Sequence, residues 1–171
     1  MEIRTVAVIG AGTMGAGIAQ ICAQSGWRTN LYDAFPDGLE RGMNNVFSFW
    51  DKGIARGKTT EQQKQEWSAN LFPTSEISDA VKDADMVIEA VPEIMDLKCE
   101  IFQSLGSLTK NGCILGTNTS SLSISKIAEA SGKPDMVIGM HFFNPVPIMK
   151  LLELIKHDNC LLYTSDAADE Y

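Results

Sequence analysis

The stretch TVAVIGAGTMG, Thr5–Gly15, decides the fold. TVAVIG is a short, nearly continuous apolar run, the kind that a parallel sheet buries on both faces. It breaks at Gly10, and Gly10-x-Gly12-x-x-Gly15 follows, with Thr13 and Met14 inside the turn. Met14, Gly17, Ile18, Ile21, Cys22 and Ser25 then recur at helical spacing on one face. Gly26 stands where a helix end takes a left-handed residue. RTNLYD, Arg28–Asp33, reads as a second strand, which completes a βαβ unit. The three glycines of the turn do different things. Gly10 permits the sharp bend, Gly12 lets backbone approach a pyrophosphate, and Gly15 lets helix pack on strand. The helix N-terminus offers free N–H groups. Asp33 lies 23 residues after Gly10, at the strand end where a carboxylate accepts from a ribose 2′-hydroxyl. The bland alternative is a glycine turn with no ligand, and the flanking strand, helix and acid weigh against it. Ala34 and Phe35 follow with no Arg to meet a 2′-phosphate, which favours NAD over NADP.

Working outward, residues 36–70 carry Phe47, Phe49, Trp50, Ile54 and Trp67, interrupted by KGIARGKTT. They read as a helical pair inserted into the α/β rhythm, and LFPTSE adds a short strand that Pro73 keeps near an edge. DMVIEAV is the next strand, and a helix spans about Asp96 to Leu108. Asn111-Gly112 marks a turn into CILGT. SLSISKIAEA forms a short amphipathic helix stopped by SGKP, and DMVIGM is a strand that delivers His141 at its end. The fold class expected is α/β: a Rossmann-type, doubly wound, mostly parallel sheet, with ligands at the C-terminal ends of its strands.

The 171 residues suit one domain with a proper core. A net charge of −8 with no Lys/Arg run argues against nucleic acid as a partner. No apolar run is long enough to span a membrane, and the N-terminus lacks a basic n-region, so neither membrane nor signal peptide is expected. Cys22, Cys99, Cys113 and Cys160 are scattered singly, which points to a reducing compartment, here the cytoplasm, and to no metal site.

Beyond the glycine turn, three clusters carry candidate chemistry. Glu89, Glu93 and Lys98 gather at and beyond a strand end; a solvated carboxylate and a surface lysine are an equal alternative. TNTSSLS, Thr117–Ser123 with Asn118 in it, supplies either a helix N-cap, for which Ser121 or Ser123 is suited, or donors to a substrate oxygen, for which Ser120 is freer. His141 either carries a proton or fills a strand end. Glu153 tips that balance if KLLELI returns as an extended segment beside it, since a carboxylate fixes the imidazole tautomer for a general base. His157, between Lys156 and Asp158, looks solvated and is given no role.

GAGTMGAGIAQICAQSGW, VIEAVPE, NTSSLSISKIA and GMHFFNPVPIMKLLELI together resemble the NAD-binding domain of the 3-hydroxyacyl-CoA dehydrogenase family, nearest the single-function bacterial 3-hydroxybutyryl-CoA dehydrogenases. The resemblance runs from about Arg4 to Lys156. It implies NAD-dependent oxidation of a (3S)-3-hydroxyacyl-CoA to the 3-oxoacyl-CoA, as in fatty-acid or butanoate metabolism. By resemblance, Gly10, Gly12, Thr13, Met14, Gly15, Asp33 and Asn118 hold NAD, while Glu93 and Lys98 contact its nicotinamide half. His141 is the base, Glu153 orients it, and Ser120 and Asn144 bond the reacting oxygen. Lys58 resembles the loop laid over the CoA moiety.

The family also has a helical C-terminal domain, which implies a homodimer and a further wall of the acyl pocket. Here that domain is expected to be missing, so the chain alone is expected to be weakly active or inactive. The tail CLLYTSDAADEY, Cys160–Tyr171, has no helical period and resembles a translated sequencing adapter. The expected division is therefore an NAD-binding domain over 1–159 and a non-native or disordered tail over 160–171. Two other functions stay open: a module that binds NAD(H) without turnover, and a related gulonate-type dehydrogenase of free hydroxy acids.

Overall fold

The computed structural model describes residues 1–161. The expectation for the tail therefore falls outside the described residues, except at Cys160 and Leu161. Among the described residues seven strands form one sheet: β1 (Thr5–Ile9), β2 (Arg28–Tyr32), β3 (Leu71–Thr74), β4 (Met86–Glu89), β5 (Ile114–Thr117), β6 (Val137–Phe142) and β7 (Leu152–Ile155). Their order is β3-β2-β1-β4-β5-β6-β7, parallel throughout except for β7, which returns antiparallel to β6. The helices are α1 (Thr13–Gln24), α2 (Pro36–Ala55), α3 (Glu61–Ser68), α4 (Ile77–Val81), α5 (Met95–Leu108) and α6 (Ile124–Ser131).

The continuous apolar run of β1 is explained by what lies on its two faces. Val6 and Val8 join a core with Ile18, Val46 and Trp50 from α1 and α2. Ala7 and Ile9, pointing the other way, join a core with Phe102, Leu105 and Ile127 from α5 and α6. A strand covered on both sides has no face left for polar residues. At the α1–α2 seam the Trp50 indole N–H donates to Gln24 Oε1 at 3.0 Å, so the largest buried ring keeps its polar atom satisfied.

Helix ends follow the sequence signals. Gly26, past α1, has φ 86°. Ser123 caps α6 by accepting from the Lys126 N–H, and Gly132 ends that helix left-handed at φ 70°. Thr60 and Gln63 form a capping box on α3. The inserted helical pair is present as α2 and α3, and Pro73 lies in the edge strand β3.

Three details differ from expectation. The five-residue α4 is additional; it is fixed from outside, by the buried Asn30 amide donating to Ala80 O at 2.9 Å. The last parallel strand begins later, because Pro134–Met136 make a 3-10 turn, and β6 then runs two residues past Met140. His157 is not a solvated residue. It is half-buried, with Nε2 2.9 Å from Val137 O, which ties the chain after β7 to the start of β6.

Candidate active site

The strand order reverses between β1 and β4, with β2 on one side of β1 and β4 on the other. Above that point lies a crevice of about 630 Å³, walled by Gly10, Gly12 and Asp33 on one side and by Val91, Glu93 and Asn118 on the other. Open α/β sheets bind ligands at this place, because the loops diverge there and leave a gap at the strand ends.

The glycine turn has the shape a dinucleotide needs. Gly10 is left-handed at φ 100°, and a Cβ there would stand 2.8 Å from the Ala90 carbonyl oxygen. A Cβ on Gly15 would stand 1.7 Å from Gly10 O, so helix and strand meet at a distance only glycine allows. Gly12 differs: a Cβ there meets nothing within 4 Å, so its bare face opens onto free space at the N-terminus of α1. The crowding at Gly10 and Gly15 explains those glycines by packing. No neighbour explains Gly12 by packing, and a pyrophosphate on the α1 N-terminus fits its bare face.

Asp33, one residue past β2, is fixed from both sides. Its Oδ2 accepts from the Ala11 N–H at 2.8 Å and its Oδ1 from the Phe35 N–H at 2.9 Å. The carboxylate is thus locked to the glycine turn and held at the crevice wall, where a ribose hydroxyl can still donate to its remaining lone pairs. The residues present fit NAD.

The opposite wall carries one carboxylate at the crevice, Glu93, and rests on a second beneath it, Glu89. Glu93 is exposed and accepts from Thr119 Oγ1, from the Ser120 N–H at 3.1 Å and from Ser120 Oγ at 3.2 Å. Burial pushes its carboxyl up, but these bonds and the nearby Lys98 charge outweigh that and hold it below the usual carboxylate value. Thr119 also accepts from the Leu122 N–H at 3.0 Å, so a residue with no marked signal in the sequence joins Glu93 to the start of the α6 loop. Lys98 is neither a surface lysine nor a lining residue of the crevice. Its side chain is 0% exposed, and its ammonium lies 2.6 Å from Glu89 Oε2, also 0% exposed.

His141 is the fifth residue of β6 and Glu153 the second of β7, and the two are register partners. Nδ1 lies 3.3 Å from Glu153 Oε2, and the ring packs against Phe143 with centroids 4.7 Å apart. The neighbouring Phe142 N–H donates to Asn118 Oδ1 at 2.9 Å, which ties this strand to the crevice wall. Asn144 is exposed, follows β6 and lines a smaller groove of about 190 Å³ with Gly17 and Phe49. Lys58 lies exposed on the turn after α2, and no residue of that turn lines the crevice among the described residues. No helix among the described residues is long and apolar enough to cross a membrane, and no described group of His, Cys, Asp and Glu could hold a metal ion.

Residues 5–169 match the family model described as 3-hydroxyacyl-CoA dehydrogenase, NAD binding domain. A probable 3-hydroxybutyryl-CoA dehydrogenase of Bacillus subtilis is 41% identical over 156 residues, covering 91% of this chain and 54% of the relative. The 3-hydroxybutyryl-CoA dehydrogenase of Clostridioides difficile is 43% identical over 150 residues, covering 88% and 53%. Among solved structures, (S)-3-hydroxybutyryl-CoA dehydrogenase from Ralstonia eutropha superposes with a TM-score of 0.89 at 41% identity, covering 93% of this chain and 56% of that one. The chain thus spans about half the length of these relatives.

Proposed function

Because the chain belongs to the 3-hydroxyacyl-CoA dehydrogenase family, as its NAD-binding domain, we propose that it serves the oxidation of a 3-hydroxyacyl-CoA, such as 3-hydroxybutyryl-CoA, to the 3-oxoacyl-CoA. The observation that carries this beyond cofactor binding is the His141–Glu153 pair, one residue from the Phe142 N–H that Asn118 of the crevice holds. A dehydrogenation of an alcohol needs a base for the hydroxyl proton as well as an acceptor for the hydride. NAD, when bound, supplies the hydride acceptor.

The protein's own residues do the rest. Asp33 and the glycine turn hold the adenosine ribose and the pyrophosphate. Glu93 and Lys98 serve the nicotinamide half: Glu93 from the crevice wall, and Lys98 from beneath it through Val91 O, 3.2 Å from its ammonium. His141 takes the 3-hydroxyl proton on Nε2, while Glu153 accepts from Nδ1–H, fixes the tautomer and stabilises the imidazolium that forms. Ser120 and Asn144 donate to the reacting oxygen, for which Ser120 must turn its hydroxyl from Glu93. Lys58 meets the CoA moiety.

Homodimerisation and the remainder of the acyl pocket are assigned to segments that the longer relatives have beyond the span matched here. The exposed Leu152, Leu154 and Ile155 of β7 fit an edge that such a segment covers. The bacterial-type activity is assigned to the cytoplasm.

The test is a fluorescence titration of the 171-residue chain with NADH, followed by acetoacetyl-CoA-dependent NADH oxidation. Saturable NADH binding is expected. Binding with no turnover would leave the chain as a cofactor-holding module, and no binding would sink the reading at its base.

A further inference from the structure

The Glu89–Lys98 pair is buried completely, yet no step above uses Glu89. Burying two charges is costly and rarely adds stability over an apolar pair, so such a pair calls for an account of what it does. Its bonds reach separate pieces of the crevice. Glu89 Oε1 accepts from Thr117 Oγ1 at 2.7 Å. Glu89 Oε2 accepts from the Lys98 ammonium at 2.6 Å and from the Val91 N–H at 2.8 Å. The ammonium also donates to Val91 O at 3.2 Å. One carboxylate at the end of β4 therefore holds the end of β5, the loop that carries Val91 and Glu93, and the first turn of α5.

Resting on the cofactor reading above, we infer that Glu89 is a positioning residue for NAD, acting through Thr117, Lys98 and Val91 to fix the crevice wall opposite the glycine turn. Thr117 precedes Asn118, and Val91 precedes Glu93 by two residues, so both lips of that wall are anchored to the same two oxygen atoms. The loop has little slack of its own, since the Ala90 N–H is bonded to Ile9 O at 2.8 Å and Ala90 O stands so close over Gly10 that a Cβ there would come within 2.8 Å of it. Without the carboxylate, Val91 N–H and the Lys98 ammonium lose their shared acceptor and the wall relaxes away from the position that meets the cofactor.

Glu89→Gln strands the Lys98 charge in the interior and is prone to misfold, so the decisive variant is Thr117→Val. It keeps the β-branched shape and the Lys98 partner, removes the β5 tether together with the donor to Glu89 Oε1, and lies at a residue with 0% exposure that cannot touch a ligand directly. Thr117→Val should raise the NADH dissociation constant about tenfold, the worth of one hydrogen bond to a charged group. Thr117→Ser, which keeps the hydroxyl, should stay within about twofold of the unaltered chain. Thr109→Val is the control: it also removes a buried hydroxyl bond, to Leu105 O at 2.6 Å, but past the far end of α5. It should cost stability and leave NADH affinity unchanged. The inference is overturned if Thr117→Val binds NADH as the unaltered chain does, or if Thr109→Val weakens binding equally. Absence of NADH binding by the unaltered chain is read separately, and overturns the cofactor reading and this one together.

Discussion

His141 and Glu153 stand directly opposite each other across the antiparallel β6–β7 pair, with Nδ1 3.3 Å from Oε2. Opposed residues share one face of a sheet, so the pairing is set by backbone register and does not depend on a flexible loop. In an enzyme of the relatives' full length, His141→Gln should therefore lower acetoacetyl-CoA-dependent turnover by about 10²–10⁴-fold, and Glu153→Gln by about 10–100-fold, with NADH affinity held in both. If NADH affinity fell in step with turnover, His141 would be a structural residue.

Gly12 and Gly15 should separate packing from ligand binding. Gly12→Ala adds a methyl to open space at an ordinary φ of −68°, so stability should change by less than about 0.5 kcal/mol. NADH affinity should nonetheless fall at least about tenfold, because the methyl occupies the pyrophosphate's approach. Gly15→Ala drives a methyl into the Gly10 carbonyl and should cost more than about 3 kcal/mol. Thermal melts with NADH titrations decide this. A Gly12→Ala chain that binds NADH normally would put the pyrophosphate elsewhere.

Asp33 should set the cofactor choice. Asp33→Asn keeps an acceptor for either Ala11 N–H or Phe35 N–H but turns an NH₂ towards the other. The ratio of NADH to NADPH affinity should drop about tenfold, since a 2′-phosphate is no longer repelled by the carboxylate. Parallel titrations with the two nucleotides measure it, and an unchanged ratio would remove Asp33 from the selection.

The parts of the site that are legible in the sequence are those set by local geometry. Gly10, Gly12, Gly15 and Asp33 are spaced by one βαβ unit, and Glu153 falls beside His141 once KLLELI is taken as extended. What escapes depends on how distant segments close over one another. Lys98 sits nine residues after Glu89, and nothing in that spacing says whether α5 folds its first turn back over the strand end; it does, and a lysine that reads equally as solvated is sealed inside. Thr119 reaches Glu93 across 26 residues, between two loops brought together only by the pairing of β4 with β5. His157 has charged neighbours in sequence and a carbonyl neighbour in space.

At the opposite end of the sheet, Asp85 precedes β4 and accepts from the Arg4 and Thr5 N–H groups at 2.9 Å each and from the Lys110 ammonium at 2.7 Å. These bonds, the one to Lys110 foremost, hold its carboxyl at about 2, below the ordinary 3.8. A folded value below the unfolded one means that the ionised form stabilises the fold. That contribution is fully present above about pH 3.8 and is lost as the pH falls from there towards 2. Asp85→Asn should thus cost about 1 kcal/mol at neutral pH, roughly 2–4 °C in Tm. The gap should narrow between about pH 4 and pH 2, as the unaltered chain loses the same charge. Melts of both proteins across that range test it: a Tm difference that stayed constant down to about pH 2 would mean that the Asp85 charge contributes nothing, and that the clamp on β1 works through shape alone.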